Sequence, residues 1–209
     1  MMFLTILFSA VLGYGLGSIP FGLVLTKLAG LGDIRAVGSG NIGATNVLRT
    51  GRKDLALLTL LLDSGKGAIA VFAAMTLDWR PEIAAAFAML GHCFPVWLGF
   101  RGGKGVATYL GTILMLLFPA GLFACLTWLV TAGVTRISSL SALVATAATP
   151  LILFAMGRPA YCIAALGMTG FVFIRHKANI ARLIKGTEPK IGRKSDDPAP
   201  ERDPPPTQS

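Results

Sequence analysis

Residues 106–135 read VATYLGTILMLLFPAGLFACLTWLVTAGVT, 30 residues without a charge and with Pro119 near the middle. About 20 helical residues cross a bilayer core of about 30 Å, so the run is too long for one ordinary span and short for two. Proline removes a backbone N–H and ends or kinks a helix, which sets two short spans meeting near Pro119 against one long span. The basic residues elsewhere in the chain decide between these readings.

Further candidate spans are Phe3–Leu25, Leu55–Leu77, Ile83–Leu98, Leu140–Met156 and Ala160–Ile174, each mostly uncharged and bounded by polar, Gly or Pro residues. If 106–135 forms two spans, one side receives Lys27, Arg35, Arg49, Arg52, Lys53, Arg101, Lys104, Arg136 and the eight basic residues from Arg175 onward, 16 of the 19 Lys and Arg. The other side has only Arg80 and Arg158, and Lys66 lies within a span. One long span would instead strand the tail charges opposite the basic loops. Lys and Arg gather on the cytoplasmic side of membrane proteins. The expected fold is therefore all-α, a polytopic integral membrane protein with seven transmembrane helices, N-terminus outside and C-terminus in the cytoplasm.

Composition agrees, with 54% apolar and 14% charged residues among 209 and a mean hydropathy of +0.68. An ordinary soluble domain is excluded. The formal charge of +9 does not point to nucleic acid, because the cations sit in loops and at one end, where anionic lipid headgroups attract them. Cys93, Cys125 and Cys162 have no metal-like spacing and read as small buried hydrophobes, without disulfide or metal. No basic region precedes the first apolar run and no clean A-x-A-like site follows it, so it reads as a retained span. From Ser195 the chain runs SDDPAPERDPPPTQS, which lacks apolar periodicity. One membrane domain over 1–193 and a disordered cytoplasmic tail over 194–209 are expected.

The polar segments carry the chemistry. Val37 to Arg49 reads VGSGNIGATNVLR: Gly38, Gly40 and Gly43 permit turns that set N–H groups in a concave row, Ser39, Asn41, Thr45 and Asn46 add hydroxyls and amides, and Arg49 adds a planar cationic fork. A plain connecting loop is the alternative, though it needs neither so many amides nor an Arg beside the bilayer. Phe100 to Thr108, FRGGKGVAT, repeats the pattern with Gly102, Gly103, Lys104 and Gly105. It is not a nucleotide loop, which needs Ser or Thr after the Lys; here Gly105 follows, and an ATPase is disfavoured. The competing reading is a flexible turn with a membrane-surface Lys. Two anion-cradling loops imply a phosphorylated substrate.

Asp63 and Lys66 are three apart within the second span, where each charge costs about 2.5–3.5 kcal/mol on insertion scales. They pair with each other or serve an interior site, and Lys66 is counted as a candidate substrate-binding residue. His92, also inside a span, is either a helix–helix hydrogen-bonding residue or a catalytic one. His176 and Asn179 share a face of RHKANIARL where the last span ends. A basic helix lying on lipid headgroups would use the cations of that segment but not the Asn179 amide. His176 is able to orient a hydroxyl, bind phosphate or act as a base.

GSGNIGATNVLR, GHCFPVWLGFRGGKGVAT (Gly91–Thr108) and RHKANIARLIKGTEPK (Arg175–Lys190) resemble, in order, three signature segments of the bacterial membrane glycerol-3-phosphate acyltransferases that use acyl phosphate, the PlsY family. The resemblance implies a seven-helix fold with the site on the cytoplasmic face of the inner membrane. It also implies transfer of a fatty acyl group from acyl phosphate to the 1-hydroxyl of sn-glycerol 3-phosphate, giving lysophosphatidic acid and phosphate at the start of phospholipid synthesis. Ser39, Arg49, Lys104, His176 and Asn179 fall where the family has its phosphate-binding and catalytic residues. Gly102, Gly103 and Gly105 match its glycerol-phosphate loop, Ser139 fits the serine-rich turn Arg136–Ser141, and Glu188 matches a structural acidic position. The substrates are acyl phosphate and glycerol 3-phosphate, the surroundings are membrane lipids, a monomer is the expected unit and no cofactor is implied. An acyl phosphate carries its own leaving group, so the protein need only position the acceptor hydroxyl and stabilise charge, with a substrate phosphate oxygen taking the proton. A transporter of a phosphorylated solute is the rival reading. It would place its site near the midplane with polar residues reaching both faces, whereas one face here has almost none.

Overall fold

The computed structural model describes residues 2–192, and these fold into helices joined by loops. The tail expected to be disordered, 194–209, lies outside the described residues.

Helices α1 (Met2–Gly17) and α2 (Phe21–Leu28) share one apolar run of 27 residues. Pro20 has no N–H to continue the ladder, so the chain breaks at 18–20. The carbonyls freed there accept from elsewhere: Trp97 Nε1 donates to Ser18 O at 2.8 Å and Lys66 Nζ to Ile19 O at 2.7 Å. The continuous span expected over Phe3–Leu25 is thus two helices. After the five-residue α3 (Ala44–Leu48) come α4 (Lys53–Thr76) and α5 (Pro81–Cys93). Helix α5 stops short of the expected Leu98 because Pro95 forbids helical backbone at Phe94, leaving a single 3₁₀ turn over Val96–Leu98.

The decisive run divides into α6 (Val106–Leu116) and α7 (Phe118–Thr135). Leu117 between them is extended (φ −156°, ψ 99°), and Pro119 sits in the first turn of α7, where a missing N–H breaks no bond. Helices α8 (Ser138–Ala155), α9 (Pro159–Arg175) and the short α10 (Lys177–Ile184) complete the fold. Among the described residues five helical runs are long and apolar enough to cross a membrane, namely Met2–Leu28, Lys53–Thr76, Pro81–Leu98, Phe118–Thr135 and Ser138–Ala155, and α6 and α9 are shorter apolar helices. Eleven residues of α6 rise about 16 Å, roughly half the hydrocarbon thickness. The chain is a multi-pass integral membrane protein.

Small residues set the closest helix crossings, as expected where lipid offers no hydrophobic drive for association. A Cβ on Gly13 or Gly17 of α1 would meet the carbonyls of Ala84 and Ala88 on α5. Gly67 of α4 and Gly111 of α6 likewise lie against the backbone of Thr108 and Ser64. Pro150 inside α8 leaves the Thr146 carbonyl without its helical donor, and Thr169 Oγ1 at 2.9 Å and Tyr109 OH at 3.3 Å supply it from α9 and α6. Tyr109, Met89, Ile113, Leu153 and Met168 fill the core, while Leu151, Phe154, Ile163 and Val134 point outward as lipid would require. Cys93 and Cys162 are buried and Cys125 is half-buried, all as free thiols.

The four polar segments converge on one end of the bundle. Thr45 Oγ1 meets Ser138 Oγ at 3.2 Å, Lys104 meets Asn179, and Ile191 N donates to Arg136 O at 2.7 Å.

Candidate active site

The first loop is organised by one buried amide. Asn46 Nδ2 donates to the carbonyls of Ile34, Val37 and Asn41 at 2.8–3.0 Å, and its Oδ1 accepts from Ser39 N at 3.0 Å and Ser39 Oγ at 3.2 Å. A loop without a ladder needs such a substitute for its backbone pairing. Gly38, at φ 56°, packs so tightly against Asn46 Oδ1 and the Arg49 side chain that a Cβ would displace them. Ser39 and the half-buried Arg49 are thereby set into one wall of a cavity.

The second loop is gripped from both sides. Gly102 N–H donates to Cys93 O at 3.1 Å and Gly103 N–H to His92 O at 3.0 Å. Arg175 donates from Nη2 to Gly102 O at 2.7 Å and from Nε to Gly103 O at 3.0 Å, with its guanidinium 5.4 Å from the Phe94 ring centre. A Cβ on Gly102 would fall against the His92 and Cys93 carbonyls, and one on Gly103 against the His92 ring. The loop meets the cavity one step later, at Lys104, Gly105 and the first turn of α6. Val106 and Ala107 line the cavity there, and their N–H groups have no partner within the helix.

At the α9–α10 junction His176 is 3% exposed and its Nδ1 lies 2.8 Å from Val172 O. Only a protonated Nδ1 can donate to that carbonyl, so the Nε2 lone pair is left for the cavity. Burial, reinforced by Lys104, pushes His176 down to about 4, against the pull of the Val172 hydrogen bond. The ring is neutral near pH 7. Lys104 Nζ donates to Asn179 Oδ1 at 2.6 Å, and Asn179 Nδ2 donates to Glu188 Oε1. Ser139 Oγ reaches the same carboxylate oxygen at 2.8 Å, and Arg182 Nε reaches Oε2 at 2.7 Å. Burial raises Glu188, but its three donors outweigh burial and hold the carboxyl below its usual range. Burial pushes Lys104 down to about 8, with Glu188 opposing and Arg182, Arg49 and Arg175 adding to the fall.

These groups line a cavity of about 620 Å³. Its polar end carries Arg49, Lys104, His176 and Asn179; its other end runs between α4, α6 and α7 and is walled by Leu60, Leu110, Leu114, Cys125, Trp128 and Leu129. An anion-binding head joined to an apolar groove suits a substrate with a phosphate and a hydrocarbon chain.

The model of the glycerol-3-phosphate acyltransferase family matches residues 7–186. The chain belongs to the glycerol-3-phosphate acyltransferase family. A glycerol-3-phosphate acyltransferase of Jannaschia sp. (strain CCS1) is 57% identical over 189 residues, covering 90% of this chain and 93% of the relative. That of Paramagnetospirillum magneticum (strain AMB-1) is 62% identical over 184 residues, covering 87% and 92%. Among solved structures, the glycerol 3-phosphate form of PlsY (YgiH), an integral membrane glycerol 3-phosphate acyltransferase, superposes with a TM-score of 0.85 at 40% identity over 90% of this chain and 96% of that one. Its lysophosphatidic acid form gives 0.83 at 38% identity, over 90% and 95%.

Of the residues singled out from sequence, Ser39, Asn41, Gly43, Thr45, Asn46, Arg49, Lys104, Gly105, Ser139, His176 and Asn179 line the cavity of this family member, and so do Asp63, His92 and Glu188. Gly38, Gly40, Gly102, Gly103 and Lys66 do not. Gly38, Gly102 and Gly103 answer close packing within the loops, and Lys66 is engaged by Asp63, Ile19 and His92. Asn46, 1% exposed, has every polar atom tied to its own loop and acts on the cavity through Ser39. Sequence reasoning missed Arg175, read as one more cation at a span end, although its place beside His176 was a signal. It also missed the apolar groove, because α7 is apolar on every face and nothing in its pattern marks the side that meets a ligand.

Proposed function

We propose that the chain transfers a fatty acyl group from acyl phosphate to the 1-hydroxyl of sn-glycerol 3-phosphate, giving lysophosphatidic acid and inorganic phosphate, the first acylation step of bacterial phospholipid synthesis. The observation that carries this reading is one cavity that joins cationic groups to an apolar groove. Arg49, Lys104 and the first turn of α6 bind phosphate oxygens, and the groove takes the acyl chain. The acceptor hydroxyl donates to His176 Nε2, which aims its oxygen at the acyl carbonyl. The O–H then swings from Nε2 to a substrate phosphate oxygen, which takes the proton as the new ester bond forms and the carbonyl–phosphate bond breaks. A neutral imidazole with a pKa of about 4 is a poor proton acceptor, which supports an orienting role. Ser39, Asn41, Thr45 and Ser139 supply further hydrogen bonds to the substrates. No nucleophile of the protein, metal or cofactor is required.

The same reading takes α1 with α2, α4, α5, α6, α7, α8 and α9 as seven spans of a monomeric enzyme in the bacterial cytoplasmic membrane. A single domain covers 1–193, the N-terminus is outside, and the site and the tail from 194 are cytoplasmic. A transporter of a phosphorylated solute is less favoured, since the cationic groups sit at one end of the bundle and not at its midplane.

Purified protein supplied with acyl phosphate and glycerol 3-phosphate should yield lysophosphatidic acid without ATP, coenzyme A or added metal. Strict dependence on acyl-coenzyme A, or loss of activity in a chelator, would contradict the reading.

A further inference from the structure

Lys66 is 3% exposed in α4 and does not touch the cavity. Its Nζ lies 2.7 Å from Asp63 Oδ1, 2.7 Å from Ile19 O and 2.9 Å from His92 Nδ1. An ammonium has three N–H bonds and no lone pair, so these three acceptors exhaust it and His92 Nδ1 must accept. The His92 proton then sits on Nε2. A ring held in this way faces Gly103: a Cβ there would fall directly against Nε2, with Cε1 and Cδ2 equally far behind it. The His92 carbonyl holds the Gly103 N–H at 3.0 Å as well, so the residue before Lys104 is fixed by both ends of one histidine. The third acceptor, Ile19 O, lies at the α1–α2 break, and α2 bears on the first site loop, because a Cβ on Gly22 would meet the Ile42 carbonyl. One buried cation therefore ties together the supports of both polar loops.

We propose that Lys66 and His92 are positioning residues for acyl transfer: Lys66, balanced by Asp63, locks the His92 ring beneath Gly103 so that Lys104 stands where it meets Asn179 and the substrate phosphate. An ion pair inside a membrane helix is costly to keep, and coupling to a site is the use the contacts indicate. The proposal rests on the reading of Lys104 as a substrate-binding cation.

The test is a double-mutant cycle on the purified enzyme, read as kcat and KM for glycerol 3-phosphate. His92→Ala and Gly103→Ala should each lower kcat/KM by about 10²-fold, the order that a misplacement of about 1 Å costs. The double variant should be no worse than His92→Ala alone, because removing the ring opens the room that Ala at 103 needs. Losses that multiply would overturn the proposal. A second measurement needs no variant. The chain has two histidines, and nitrogen NMR of histidine-labelled enzyme should show opposite tautomers, with the proton on Nε2 in His92 and on Nδ1 in His176. A proton on Nδ1 of His92 would overturn the Lys66 lock even if the variants failed to fold. Lys104→Gln belongs in the same series. Parental kinetics in that variant would sink the reading of Lys104, whereas its inactivity together with multiplying losses would sink only the positioning role.

Discussion

Lys104 Nζ and Asn179 Oδ1, 75 positions apart in the chain, lie 2.6 Å from each other. The amide presents its oxygen to the ammonium because its nitrogen is committed to Glu188, which also collects Ser139 and Arg182. Orientation of the Asn179 amide thus depends on the Glu188 carboxylate.

Glu188→Ala should release three donors at once and let the Asn179 amide turn. Calorimetry or thermal melting should show a loss of about 1–3 kcal/mol, the usual cost of leaving buried donors unpaired. Turnover should fall with it, and Glu188→Gln, which keeps an acceptor oxygen, should lose less. Parental kinetics in Glu188→Ala would separate this carboxylate from the site.

His176 is the residue most easily taken for a general base. Its Nδ1–H is held by Val172 O and its pKa lies at about 4, so toward the cavity it offers a hydrogen-bond acceptor and not a titrating base. His176→Gln, which brings an amide oxygen to about the position of Nε2, should retain measurable turnover, and His176→Ala should lose more. A true base contributes about 10²–10⁴-fold and gives a single ionisation near neutral pH. Equal loss in both variants, with such an ionisation in the parent alone, would make His176 the base.

Lys104 should govern the alkaline limb. In the substrate-free enzyme its pKa is pushed down to about 8, so the ammonium is present below that pH and is lost above it. The profile of kcat/KM for glycerol 3-phosphate, which reports the free enzyme, should therefore fall above pH 8. Binding a phosphate dianion favours the charged form, so the limb in kcat should lie higher. Lys104→Arg should move the limb out of range, since guanidinium does not deprotonate there. An unmoved limb in that variant would assign the ionisation elsewhere.

The groove between α4, α6 and α7 should set acyl-chain preference. Trp128→Ala enlarges its wall and should shift kcat/KM toward longer acyl phosphates, while Cys125→Phe fills it and should favour shorter ones. Competition between acyl phosphates of two lengths reads both shifts. The same preference in both variants would place the chain somewhere else.

Orientation in the membrane is open to labelling. In a background with the three native cysteines replaced, a cysteine at Arg80 should react with an impermeant probe on intact cells, and cysteines at Thr50 and Lys190 should be protected. External labelling at Lys190 would refute the seven-span arrangement.

Much of the scaffold was readable from the chain because its causes are local. Long apolar runs cannot be solvated, so they mark helices, and residues 106–135 divide where Pro119 falls in the first turn of α7, a place where its missing N–H breaks no ladder bond. The one-sided distribution of Lys and Arg brought the polar segments to one end before any coordinate did. Tertiary structure alone decided what each polar group faces. The glycines at 102 and 103 look like a phosphate cradle in sequence, yet their N–H groups are taken by the carbonyls that α5 exposes where Pro95 stops it, and their carbonyls by Arg175. Lys66, a natural candidate for an anionic substrate, turns instead to acceptors 3, 26 and 47 positions away. A hydrogen bond is formed between atoms that packing brings within about 3 Å, and residue type and spacing carry no record of which distant carbonyl, ring or carboxylate that will be.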